Sequence, residues 1–311
     1  MPEDLKTHFT ALIPGILGGR VVPFLGAGVN LLERPKDLKW MINCGSLPGG
    51  RELFEFLAEK YRYPSTFDFD LARLTQYISL FAGERVLFDE LNRIFEGEYR
   101  PGPVHRFFAR LPGLLKRENK EFKLLILTTN YDNMMERAFQ EVDEAYDVIS
   151  YISNGPGRGK FLHEIDQKKV KLIEKVNKYR DADLKTRSII IKMHGTVKGN
   201  PDLTESYVIT VDDYLEYLMN ANINLLLPSE LVEKLYSSHF LFLGYALKDW
   251  NLQVILHRIW GTQKIATKSF AVQAKPDEVD KVIWKKRDVD IIQSDLKKYV
   301  SKLESAIKDI T

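Results

Sequence analysis

Thr128, Thr129, Asn130 and Asp132 bring two hydroxyls, an amide and a carboxylate to the end of the apolar run 124–127. A buried strand needs no such cluster for stability, and a plain turn more usually uses Gly or Pro. The group suits a polar ligand. The Asn130 amide both donates and accepts hydrogen bonds, and Asp132 can hold a carboxamide or a ribose hydroxyl. Asp132 can equally cap a helix that begins near Asn133, a job for which Asn130 comes too early. His194 follows the apolar run 189–193 and precedes Gly195. An imidazole there, with an ordinary pKa of about 6.5, can act as a general base or simply bond to backbone in a turn.

Two glycine turns complete the set. Gly26-Ala27-Gly28 follows the run 21–25. Glycines allow backbone to approach a phosphate, and free amides there bind its charge, although tight turns use the same residues. The third glycine and the downstream acid of the usual dinucleotide fingerprint are missing. Gly244-Tyr245-Ala246-Leu247 ends another apolar run, with Asp249 just beyond as an N-cap candidate. His105 and His257 lie in helical patterns and read as packing or capping residues.

A sheet must position these groups. Leu5, Phe9, Leu12, Ile13 and Ile16 share one face of a first helix, which closes at Gly18-Gly19. Apolar strands follow around 21–25, 123–128, 188–193, 239–243, 269–274 and 289–293, alternating with helical patterns. This alternation predicts an α/β fold, a Rossmann-like parallel sheet with helices on both faces, plus a smaller all-helical subdomain. In such sheets ligands bind at the carboxyl ends of the strands, where all four motifs fall. The expected division places 1–34, 116–195 and 236–311 in the sheet domain, and 35–115 and 196–235 in the helical subdomain. The segment 204–238 reads as helices. The segment 158–187 carries ten basic and five acidic residues. It reads as a solvated insertion, helix or hairpin, and is assigned here as helical; a docking surface is the sharper alternative.

Composition narrows the function classes. The chain has 311 residues with 45 basic and 43 acidic side chains, so no global field points to nucleic acid or a membrane surface. One cysteine, Cys44, excludes an intramolecular disulfide and any multi-cysteine zinc site. The acidic N-terminus and its short apolar run, broken by Pro14, are wrong for a signal peptide, and no run is long enough to span a bilayer. A cytoplasmic location is expected.

In order, the glycine turn, T-x-N-x-D, His-Gly and Gly-x-x-Leu resemble the sirtuin fold family. That resemblance implies that Gly26, Ala27 and Gly28 hold the pyrophosphate of NAD+. Asn130 would orient the nicotinamide ribose and a water, Asp132 would hold the carboxamide, and His194 would be the base. Gly244 to Leu247 would carry the adenosine side, and Asn30, Thr129 and Tyr245 would be further NAD+ contacts. The four-cysteine zinc module of sirtuin deacylases is missing, and VNLLERPKDLKW replaces the segment after their glycine turn. YVITVDDYLEYL and FLFLGYALKDWNL resemble instead the zinc-less bacterial sirtuin-like NADases of antiphage defence. The implied function is an NAD+ hydrolase giving nicotinamide and ADP-ribose, with no zinc and no cofactor beyond NAD+ as substrate. Its alternatives are an NAD-dependent deacylase or ADP-ribosyltransferase, and a non-catalytic nucleotide sensor. The family also implies a homo-oligomer and a regulatory partner such as a hexameric ATPase or an Argonaute-like protein, which would bring any nucleic acid.

Overall fold

The computed structural model describes residues 3–35, 37–64, 69–116, 122–197, 206–219, 223–246 and 267–310, with Gln253, Leu256 and Ile259 from the intervening stretch. The strands of the main sheet are β1 (Val21–Leu25), β2 (Leu125–Thr128), β3 (Tyr146–Tyr151), β4 (Phe161–Ile165), β5 (Lys169–Leu172), β6 (Ser188–Lys192), β9 (His239–Leu243), β10 (Ser269–Gln273) and β11 (Val289–Gln293). They lie in the order β11-β10-β9-β1-β2-β6-β3-β4-β5. Neighbours are parallel from β11 to β3, and β4 and β5 run antiparallel at the far edge. A separate two-stranded ribbon pairs β7 (Gly195–Thr196) with β8 (Ser206–Tyr207).

Period-two alternation builds two cores from each strand. Val22, Phe24, Leu125, Leu127, Ile189, Ile191, Phe240 and Phe242 enter one face. Val21, Leu25, Leu124, Ile126, Ile190, Leu241 and Leu243 enter the other. Burial on both sides is why these strands read as unbroken apolar runs. Helices α1 (Glu3–Leu17), α5 (Pro103–Leu115), α6 (Met134–Glu141) and α10 (Leu296–Lys308) cover the second face. The first is covered by α7 (Val211–Met219), α8 (Ser229–Ser237) and α9 (Glu278–Lys285). The protein is therefore α/β, with a large, mostly parallel sheet between helical layers. Among the described residues no helix is long and apolar enough to cross a membrane.

Helices α2 (Gly50–Lys60), α3 (Leu71–Ala82) and α4 (Glu84–Phe95) build a third core of their own. Leu57, Leu74, Ile78, Leu87, Leu91 and Ile94 form its centre, and Met134, Val197 and Tyr207 join it from the sheet's edge. Inside this layer the Glu90 carboxylate is buried between Lys60 and Arg93.

The structure differs from the sequence reading in three places. Segment 158–187, assigned as helical, instead contains the β4–β5 hairpin, which extends the sheet. Phe161 and Ile173 enter the core, and three residues, Asp166 to Lys168, join the strands, with Asp166 and Gln167 both at positive φ, 51° and 56°. Part of segment 204–238, expected to be helical, is extended: Ser206–Tyr207 is β8. Strand β3 and helix α9 went unread; β3 carries buried Asp147 and Ser150 within an otherwise apolar run.

Candidate functional site

Strand register aligns the four motifs. Leu25 pairs with both Leu243 and Thr128, and Thr128 with Lys192. Gly244, Gly26, Thr129 and Met193 thus leave the sheet side by side at the carboxyl ends of β9, β1, β2 and β6.

The glycine end is a backbone-to-backbone junction. The Gly26 amide donates to Leu243 O at 2.9 Å, and the Gly28 amide to Gly244 O at 3.0 Å. A Cβ on either glycine would stand 2.8 Å from Gly244 O. Gly244 has φ +76°, and a Cβ there would meet the Val29 nitrogen at 2.5 Å. The two turns, far apart in sequence, require glycine because each packs against the other. The expectation that the amides of Gly26 and Gly28 stay free for a phosphate is therefore corrected: both are bonded inside the protein. Tyr245 lies over this junction; its hydroxyl donates to Leu25 O at 3.1 Å and shares a 2.8 Å bond with Thr129 Oγ1.

The polar end is built from side chains. Thr128 Oγ1 donates to Leu25 O and accepts from the Asn130 amide, which turns the chain as it leaves β2. Asp132 accepts from the amide of Met134, the first residue of α6, at 3.0 Å, from one position ahead of the N-cap Asn133, which makes no side-chain capping bond of its own. The other Asp132 oxygen accepts from Asn30 Nδ2 at 2.8 Å, which links the two turns across 102 residues. Asn130 and Asp132 are 9% and 5% exposed, enough shielding to strengthen any hydrogen bond they offer a ligand. Lys192, which the sequence reading passed over, is fully buried and donates to Tyr131 O, Asp132 O and Glu136. Its signal was there: a lysine inside an apolar strand.

His194 stands beyond β6, 4% exposed, with its ring edge-on to Tyr214 and Tyr217 at 5.5 and 5.4 Å. Gly195 has φ +89°, and a Cβ there would fall 2.0 Å from Ser206 O, so the β7–β8 ribbon demands the glycine of His-Gly. The two tyrosines come from α7, whose start explains the VITVDD sequence. Thr210 Oγ1 accepts from the Asp213 amide, and Asp213 accepts from the amides of Thr210 and Ile209, a capping box. Burial pushes the Asp213 carboxyl up, and the Thr210 and Ile209 bonds pull it back down. Arg158, from the loop after β3, pairs with Glu216 on the same helix.

His105 is structural, as expected: its Nδ1 accepts from the Gly102 amide at the start of α5. Burial pushes its pKa down to about 4, against the opposing pull of the Asp132 carboxylate. Leu247, Asp249 and His257 lie outside the described residues. Two apolar grooves occur elsewhere, about 540 Å³ along α9 and β11 and about 420 Å³ between α1 and α10, and neither holds an expected site residue.

The profile of the SIR2-like domain matches residues 124–292, which include both the polar end and His-Gly. The chain is 24% identical over 269 residues to "Defense-associated sirtuin 2" of Bacillus subtilis, covering 84% of this chain and 21% of the relative. It is 29% identical over 190 residues to "NAD(+) hydrolase ThsA" of Cytobacillus dafuensis, covering 61% of this chain and 30% of the relative. The matched part is thus less than a third of either relative's length. With the profile spanning more than half of the chain on strands that end in the TTNYD and His-Gly motifs, this protein belongs to the SIR2-like domain family.

Proposed function

We propose that the protein is an NAD+ hydrolase that releases nicotinamide and ADP-ribose, and that it acts as an NAD-depleting effector of antiphage defence. The observation that carries the reading is the register of β1, β2 and β6. It sets Asn130, Asp132 and His194 at one shielded sheet edge beside the glycine junction. The C1′–N bond of NAD+ already bears a cationic leaving group. The site therefore has to bury nicotinamide, stabilise an oxocarbenium-like ribose and place a water. Asp132 would take the carboxamide while Asn30 fixes its rotamer. Asn130 would orient ribose and water, and His194 would accept the proton. Gly26, Ala27, Gly28, Thr129, Gly244, Tyr245 and Leu247 would line the rest of the nucleotide. With two of the glycine amides already bonded, the junction would serve the pyrophosphate chiefly by leaving room for it.

The relatives' printed names, one an NAD(+) hydrolase and one a defence-associated sirtuin, support this reading. It brings with it a cytoplasmic oligomer, no zinc, and a partner that holds the enzyme silent until infection. The test is nicotinamide release from NAD+, measured by chromatography with the protein alone and in phage-infected lysate, with EDTA present and absent. Release without any acylated peptide, unaffected by EDTA, is expected. Deacetylation of an acetyl-lysine peptide with NAD+ otherwise intact would replace the hydrolase reading with a deacylase, and tight ADP-ribose binding without either reaction would replace it with a sensor.

A further inference from the structure

We propose that Lys192 is a positioning residue for the nicotinamide end of the site, holding the Asn130–Asp132 turn in its working shape. The inference rests on the reading of Asn130 and Asp132 as the grip on nicotinamide and its ribose. Lys192 is the last residue of β6, its side chain is 0% exposed, and Ile189, Ile190 and Ile191 precede it in the cores. A cation in such a place is costly unless each N–H meets an acceptor. Here all three do: Tyr131 O at 3.1 Å, Asp132 O at 2.6 Å and Glu136 Oε1 at 2.9 Å.

The choice of acceptors carries the argument. An ion pair kept for stability needs only Glu136, and an apolar residue of similar size often does that job as well. Two of the three bonds go instead to successive backbone carbonyls. In extended backbone successive carbonyls point to opposite sides, so their convergence on one nitrogen fixes a bend between Tyr131 and Asp132. That bend directs the Asp132 carboxylate to Asn30 and to the Met134 amide. It also seats the Tyr131 ring against Phe95 of the helical layer and Tyr207 of β8. Glu136 sits in the first turn of α6, where the helix dipole favours its charge, and it neutralises the lysine from outside the turn. Lys192 therefore acts through backbone and needs no contact with substrate.

The test compares wild type, Lys192→Met, Glu136→Gln and the double variant. The probes are ADP-ribose and carba-NAD+, an analogue whose C1′–N bond resists cleavage. The double variant removes both charges together, so an unpaired Glu136 cannot be the cause of its behaviour. It is expected to fold and to bind ADP-ribose within about threefold of wild type, but to bind carba-NAD+ about tenfold or more weakly, the scale of a displaced positioning group. Hydrogen exchange at the amides of 130–134 is expected to speed up by about tenfold or more as the bend loosens, while β9 is unchanged. Glu136→Gln keeps an acceptor and both carbonyl bonds, and is expected to hold carba-NAD+ close to wild type. The proposal is overturned if the double variant keeps both wild-type carba-NAD+ affinity and slow exchange, or if Glu136→Gln alone loses as much affinity as Lys192→Met. A wild type that binds neither probe overturns the underlying NAD+ reading and the proposal with it; that outcome shows in the wild-type arm alone.

Discussion

The glycine end and the polar end occupy the same sheet edge and are built in opposite ways. At the glycine end, Gly26, Gly28 and Gly244 bring main chain against main chain, and the amides of Gly26 and Gly28 are bonded within the protein. At the polar end the backbone is held from behind by Thr128 and Lys192, and the side chains of Asn30, Asn130 and Asp132 are presented at the edge. Conspicuous glycines in a sequence can therefore reflect packing, while the hydrogen-bonding capacity lies in the less conspicuous polar turn. Substitutions at the first end should cost stability, and substitutions at the second should cost chemistry.

The largest stability loss is expected from Gly244→Ala. Positive φ combined with a 2.5 Å clash against backbone predicts a loss of about 3 kcal/mol or more, read by urea denaturation. A Gly244→Ala protein of normal stability would mean that the junction is loose. Acid comes next. Burial pushes His8 and His105 from 6.5 down to about 4, so the unfolded chain binds protons more readily than the native one between those values. Their contribution is complete above pH 6.5 and is lost as pH falls toward 4, a few kcal/mol at the acid end. His105→Gln, which keeps a capping acceptor, should flatten the fall in unfolding temperature over that range; an unchanged profile would place the acid sensitivity elsewhere. Thr210→Ala removes one half of the α7 capping box and should cost about 1–2 kcal/mol. It should also lower turnover by loosening Tyr214 and Tyr217 around His194; a stability loss with turnover unchanged would detach those rings from the site.

The smallest effect is expected far from both ends. Gln167 has φ 56° in the β4–β5 turn, so Gln167→Gly should stabilise by about 0.5–1 kcal/mol by calorimetry, with turnover unchanged.

The central strands were legible in the sequence because two-sided burial makes them continuous apolar runs, and their order along the chain placed all four motifs at one edge. The β4–β5 hairpin was not, because its turn uses Asp166-Gln167 in place of the usual Asn-Gly, and lysines alternate along its outer strand. Strand β3 was hidden by Asp147, whose carboxylate is buried against His163 and the Asp166 amide. At the candidate site, the position of Asn130, Asp132 and His194 beyond the ends of β2 and β6 could be read from the apolar runs that precede them. The bonding of the Gly26 and Gly28 amides, the Asn30–Asp132 link and the role of Lys192 could not, because each depends on which strands become neighbours.

The most direct measurement is nicotinamide release by wild type, Asn130→Ala and His194→Ala under the condition in which the wild type turns over, with ADP-ribose affinity and unfolding temperature measured on the same samples. The predicted result is a loss of about 10²-fold or more in each variant, the scale of removing a positioned base or donor, with unfolding unchanged and ADP-ribose affinity within a few-fold of wild type. Turnover near the wild-type rate in either folded variant would contradict the account, because the polar end would then not be where the chemistry occurs.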